Sequence, residues 1–118
     1  MEIKEERQVF KVVAVIRPVR LGDIEKHLLK CGIEGMTIIA AKGLGEEKQF
    51  TLRLFVGTFL SELERTKIEI ITTADKVDKV VDILVRHGRT DSGHPGDGIV
   101  YVLPVEKVLR IRTGKEGL

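Results

Sequence analysis

Two similar passes of strand, helix and strand, each helix followed by or ending in glycine, predict an α+β fold of the ferredoxin-like split βαβ type, βαββαβ. Residues 1–118 make one domain, since 118 residues hold one core and not two. A first strand apolar on both faces predicts that both sides of the sheet are covered. With 42% hydrophobic and 32% charged residues the chain is not disordered by composition.

Val9 to Arg17 is rich in β-branched residues and reads as the first strand, ended by Pro18. In the helix that follows, Ile24, Leu28 and Cys31 share one face, and Gly32 stands at the C′ position. Met36 to Lys42 is the second strand, and Lys67 to Ile71 the third. Thr72 and Asp75 have capping-box spacing. They open a helix with Val77, Val80, Val81, Leu84 and Val85 on one face, ended by Gly88. Ile99 to Leu103 is the fourth strand, and Val108 to Arg112 predicts a short extra C-terminal strand. That tail is too short to cover the second sheet face, so the fold is expected to assemble sheet against sheet.

The connection from about Gly43 to Thr66 is long for a small domain and holds Phe50, Leu52, Leu54, Phe55, Phe59 and Leu60. An extended hairpin packed on itself and a partner-binding loop both account for it. The second is favoured because exposed apolar residues on a loop cost solubility unless they are used. Such a loop is expected to order on a partner.

Composition excludes several functions. Aromatics are 4% with no Trp, and Lys and Arg are interleaved with Asp and Glu at a net charge of +2, so no nucleic-acid partner is expected. The single Cys31 makes no internal disulfide, and the charged N-terminus has no apolar leader; a cytoplasmic protein is expected. His27, His87 and His94 lack metal-ligand spacing, and no nucleophile stands by a base, so neither a metal site nor an enzyme is expected.

Two features remain. Ser92, Gly93, His94, Pro95, Gly96, Asp97 and Gly98 form a glycine loop that reads as a phosphate cradle or as an ordinary tight loop. Arg110 and Arg112 would share one face of a strand, as a fork pair for phosphate or as a solvated edge.

Across Lys11 to Gly114 the chain resembles the PII signal-transduction family. The residues behind this are Ile16-Arg17-Pro18, Gly35-Met36-Thr37, Lys42-Gly43-Leu44-Gly45, Lys67-Ile68-Glu69-Ile70, Gly96-Asp97-Gly98 and Arg110-Ile111-Arg112-Thr113-Gly114. The resemblance implies a homotrimer with adenine-nucleotide sites between subunits. It places nucleotide contacts at Ile16, Gly35, Met36, Thr37, Gly43, Leu44, Gly45, Arg65, Glu69, Ile71, Ser92, Gly93, Gly96, Asp97, Gly98, Arg110 and Arg112. The long connection resembles the family's T-loop, about 43–66, which docks on a membrane transporter or cytoplasmic enzyme; Phe50, Leu52, Arg53, Leu54 and Phe55 would make that contact.

The chain departs from the family pattern at one end of this site. Glu46 and Glu47 stand where an Arg and a Gln are usual, and Ile99 where a Lys follows the glycine loop. The T-loop has no Tyr to be uridylylated; the only Tyr is Tyr101. A phosphate about 4 Å from a carboxylate at an effective dielectric near 20 costs about 4 kcal/mol. ADP or AMP is therefore expected over ATP, unless the two carboxylates recruit Mg²⁺. The alternatives are a sensor tied to carboxysomes or bicarbonate transport, and a standard ATP and 2-oxoglutarate regulator of nitrogen use. An acylphosphatase on the same plan would need glycines that Arg17-Pro18-Val19-Arg20 lacks. An RNA-recognition module would need aromatics on its central strands.

Overall fold

The computed structural model describes residues 8–33, 35–51 and 54–118, with side chains for those outside 45–61. The elements are β1 (Val9–Ile16), a 3-10 turn (Pro18–Arg20), α1 (Leu21–Lys30), β2 (Thr37–Thr51), β3 (Leu54–Thr73), α2 (Ala74–Gly88) and β4 (Gly98–Val105). The sheet order is β2-β3-β1-β4, with every adjacent pair antiparallel. Each helix therefore spans a strand of the other pass, which is the expected split βαβ plan.

The core lies between the sheet and the two helices. Val12, Ala14 and Ile16 of β1 and Ile68 and Ile70 of β3 meet Ile24 and Leu28 of α1 and Val80, Ile83 and Leu84 of α2. Helix α1 ends in a Schellman motif: Gly32 has φ +86°, its N–H donates to the Leu29 carbonyl, and the Ile33 N–H donates to that of Leu28, both at 3.2 Å. Leu28 and Ile33 are both buried, the apolar contact that accompanies this motif.

Three local expectations are corrected. Helix α2 is capped at Thr73, not Thr72, which is buried in β3; the Thr73 hydroxyl donates to the Asp75 carboxylate and no capping box forms. Gly88 is not a left-handed C′ residue. It is the last helical residue, and a Cβ there would lie 3.6 Å from Ile16 Cγ2, so it lets α2 pack close to β1. The tail forms no further strand among the described residues. Gly114 and Gly117, both at positive φ, fold it back on itself with a single bridge between Leu109 and Glu116. Arg110, Ile111 and Arg112 thus sit in a turn, where strand alternation does not apply.

The connection expected as a long loop is a continuation of its flanking strands. β2 and β3 stay paired from Thr37↔Glu69 out to Thr51↔Leu54, with one irregularity between Gln49 and Phe50. Beyond Thr66, the residue paired with Ile16, the two strands leave the sheet as a ribbon, and the molecule extends to 68 Å along its long axis. Antiparallel pairing satisfies the backbone of this excursion without a core.

The sheet face away from the helices is left open. Ile39, Ile71, Ile99, Tyr101 and Leu103 lie on it with 38% to 62% of their surface exposed. The tail lines a cleft with Gly35 to Thr37, Ile71 and Lys76 at one end of the sheet and leaves the rest of this face open.

Candidate functional site

The glycine loop after α2 is built around Asp97. Its carboxylate accepts from the Thr90 hydroxyl at 2.6 Å, the His94 N–H at 2.9 Å, the Thr90 N–H at 3.1 Å and Arg17 Nε at 3.0 Å. The Thr90 hydroxyl above all, then the two backbone N–H groups, hold this carboxyl far below the ordinary carboxylate range. Asp97 therefore organises the loop from within. The N–H groups of Thr90, Gly93, His94 and Asp97 are engaged inside it, whereas Ser92 and Gly96 N–H show no such bond among the described residues. Gly98, at φ +112°, opens β4 where a Cβ would overlap the Val15 carbonyl. Only glycine fits that approach.

Two guanidiniums close on this loop. Arg17, just past β1, donates through Nη2 to the Pro95 carbonyl at 3.1 Å. Arg65, on the ribbon base, donates through Nη2 to the Gly96 carbonyl at 3.2 Å, and its Cγ lies 3.7 Å from where a Gly43 Cβ would stand. Each keeps N–H donors beyond those pairings, so the group offers fixed positive charge to an anion. Ile16, at the end of β1, is buried. Leu44 on the ribbon and Ile99 at the start of β4 are exposed, at 73% and 62%.

A second cluster lies elsewhere. Gly35, Met36, Thr37, Glu69, Ile71 and Arg110 line a cleft of about 680 Å³, with Lys76 and Leu118 at its rim. Glu69 is paired with Lys11 at 2.9 Å and Lys67 at 3.4 Å, and the Lys11 contact first of all lowers its carboxyl. Along β3 the two clusters are four residues apart: Thr37 is opposite Glu69, and Ala41 opposite Arg65. At strand rise that is about 13 Å. The anticipated site residues thus fall into two groups within one chain. Ser92 and Gly93 are exposed on the loop's outer turn, and Arg112 lines neither cluster. Gly45, Phe50, Leu54 and Phe55 are described through their backbone alone, and Leu52 and Arg53 lie outside the described residues.

Sequence reasoning missed Arg17 and Thr90, whose partner Asp97 is 80 residues from Arg17. It also missed the cluster of Asp23, His27 and His87, one side-chain oxygen or nitrogen of each lying within 4.8 Å of the others although His87 is 64 residues from Asp23. Only the carboxylate and imidazole four apart on α1 hinted at it.

The comparisons with known proteins agree with this architecture. The family model described as Nitrogen regulatory protein P-II matches residues 9–115. The Nitrogen regulatory protein P-II of Klebsiella oxytoca is 42% identical over 108 residues, 90% of this chain and 94% of that protein. The Nitrogen regulatory protein P-II 1 of Escherichia coli K12 is 41% identical over 108 residues with the same coverage. Among solved structures, the B. subtilis GlnK-ATP complex has a TM-score of 0.79 at 32% identity, covering 97% of this chain and 96% of that one. Arabidopsis thaliana PII bound to citrate has a TM-score of 0.74 at 33% identity, covering 92% and 85%. Fold, strand order and nearly full-length sequence similarity together show that this chain belongs to the P-II nitrogen regulatory protein family.

Proposed function

We propose that this chain is a cytoplasmic PII-type signal-transduction regulator, without catalysis of its own. In this reading it forms a homotrimer, binds an adenine nucleotide between subunits and acts on a partner transporter or enzyme through the β2–β3 ribbon. The observation behind it is the division of the site residues into two clusters about 13 Å apart on one strand. A nucleotide touches both groups when a second chain brings its Gly35–Thr37 and Arg110 cluster to the first chain's glycine loop. The open apolar face is where three such chains would meet. The GlnK-ATP relative supports an adenine nucleotide as the ligand.

ADP or AMP is favoured over ATP in this reading. Ile99, an exposed aliphatic residue, follows the glycine loop where a Lys would reach a distal phosphate. A second reading, ATP itself, is favoured by Arg17 and Arg65, whose guanidiniums converge on Gly96. Calorimetric titration of AMP, ADP and ATP, each with chelator and with Mg²⁺, tests both. ADP or AMP at least as tight as ATP in chelator supports the first. Tighter ATP in chelator supports the second, and no nucleotide binding refutes both. Added 2-oxoglutarate or bicarbonate reads out a second effector.

A further inference from the structure

We propose that the open sheet face, closed in the homotrimer proposed above, holds a tetrahedral oxoanion of the sulfate or phosphate type between the Lys67 ammoniums of three copies. The inference rests on that assembly. Val12, Ala14 and Ile16 of β1 and Ile68 and Ile70 of β3 point to the helices. Alternation therefore puts Lys11 of β1 and Lys67 and Glu69 of β3 on the open side. All three lie on the two inner strands of the order β2-β3-β1-β4, so they occupy the middle of the face. Glu69 Oε2 is 2.9 Å from Lys11 Nζ and 3.4 Å from Lys67 Nζ. Two ammoniums thus share one carboxylate oxygen, with Lys11 the closer.

Lys67 is the uncompensated member. Its cross-strand neighbours on this face are Val15 and Ile39, both aliphatic. Arg65, the residue before it on this side of β3, is a further cation and turns to the Gly96 carbonyl. Among the described residues of β1, β4 and the parts of β2 and β3 paired beside them, Glu69 is the one carboxylate on the open side. Val13, opposite Glu69, is buried, so the cluster stands on a dry floor. The Lys11 and Lys67 side chains are only 33% exposed already, and that of Glu69 21%. Closing three such faces around an axis removes the remaining water and gathers twice as many ammoniums as carboxylates. A buried charge without a counter-charge is unfavourable. One multivalent anion on the axis offsets the surplus ammonium of every copy at once, and a tetrahedral oxoanion presents equivalent oxygens about a threefold axis. Lysine, a point charge on a flexible stem, suits such a ligand.

The test is equilibrium dialysis of the full chain against radiolabelled sulfate at constant ionic strength, with light scattering and thermal unfolding on the same samples. Lys67→Met leaves Lys11 and Glu69 as a neutral pair. It should weaken one sulfate site per three chains tenfold or more, whereas a site at each glycine loop would count one per chain. The variant should also lose the rise in unfolding midpoint that sulfate gives over chloride, and unfold no earlier than the unaltered protein in chloride alone. Lys11→Met, which frees Glu69 for Lys67, should do the same from the other strand, so the result does not hang on one variant. Stabilisation by exclusion of sulfate from the surface is common to all three proteins and cancels. A trimer whose sulfate binding is unchanged in both variants, or falls by one site per chain, overturns the anion site and leaves the homotrimer standing. A monomer for the unaltered protein overturns the assembly and the site with it.

Discussion

Arg17 Nε and the Asp97 carboxylate meet at 3.0 Å across 80 residues of sequence, joining the end of β1 to the glycine loop. The pair links the edge of the core to the segment that bears the Ser92 and Gly96 N–H groups. Replacing Asp97 with Ala removes the common acceptor of Thr90, His94 and Arg17. The expected outcome is faster amide exchange at Thr90 and His94, a lower unfolding midpoint and weaker nucleotide binding, with the two helices unchanged in circular dichroism.

Acid should act through the same group. Asp97, Asp23 and Glu69 all have folded carboxyls below their ordinary values, Asp97 most of all. A lowered folded pKa gives stability that is fully present above the unfolded value, about 3.9 to 4.3, and lost as pH falls through the folded one. Denaturant midpoints should hold from pH 7 to about 5 and fall below about 4. Asp97→Asn should flatten that fall.

Gly98 offers a sharper test of backbone geometry. It combines φ +112° with a Cβ position blocked by the Val15 carbonyl. Gly98→Ala should destabilise by at least about 1–3 kcal/mol, the cost of a disfavoured backbone conformation, before the overlap is counted. Gly35→Ala is the matched control, since nothing lies within 4 Å of its Cβ position. Comparable losses at both positions in urea unfolding would contradict this account.

Why some of this was legible in the sequence and some was not follows from range. Ile24, Leu28, Val80 and Leu84 announce their helices because helical periodicity is local, and all four are buried. The β-branched run at β1 is equally local. The ribbon reads as a loop in sequence because its apolar residues are mixed with charges and have no core to join, yet antiparallel pairing runs almost to its tip. Arg110 and Arg112 were assigned to a strand because alternation does not reveal that Gly114 and Gly117 will turn the chain. The division of the site was out of reach of spacing, since it depends on register: Thr37 opposite Glu69, Ala41 opposite Arg65.

If the site is completed between chains, complementation should reveal it. Arg110→Ala and Arg65→Ala each remove one charge-assisted contact, a loss of roughly 1.5–3 kcal/mol, or about tenfold or more in affinity. Mixed after co-refolding, the two variants should recover part of the strong binding, because some interfaces then pair an intact Arg65 half with an intact Arg110 half. Calorimetry showing no recovery in verified mixed oligomers would place both arginines in one chain's site.

In the proposed homotrimer the open sheet face carries the assembly. Tyr101 and Leu103 of β4 lie on it beside Ile71 and Ile99, all exposed in the single chain. Leu103→Glu puts a charge into the face that a homotrimer would close, and desolvating it without a partner is unfavourable. Light scattering should give a trimer for the unaltered protein and smaller species for the variant, with helix content retained. A monomer for the unaltered protein at micromolar concentration would remove the basis for an intersubunit site.

The last prediction concerns ligand choice. Ile99 pairs with Val15 at the start of β4, where the open sheet face meets the glycine loop, three residues after Gly96, whose carbonyl accepts from Arg65. With Ile there, the phosphate-facing charge comes from Arg17 and Arg65, both partly committed to loop carbonyls. Ile99→Lys adds a mobile ammonium at the exposed edge of this cluster. ATP reaches farther along the cluster than AMP, so its affinity should rise more, by about tenfold for one charge-assisted hydrogen bond. AMP should change by less, because its single phosphate is already within reach of the loop. Equal gains for AMP and ATP would mean that the new Lys meets the proximal phosphate, and the distal-charge account of the preference for shorter nucleotides would fail.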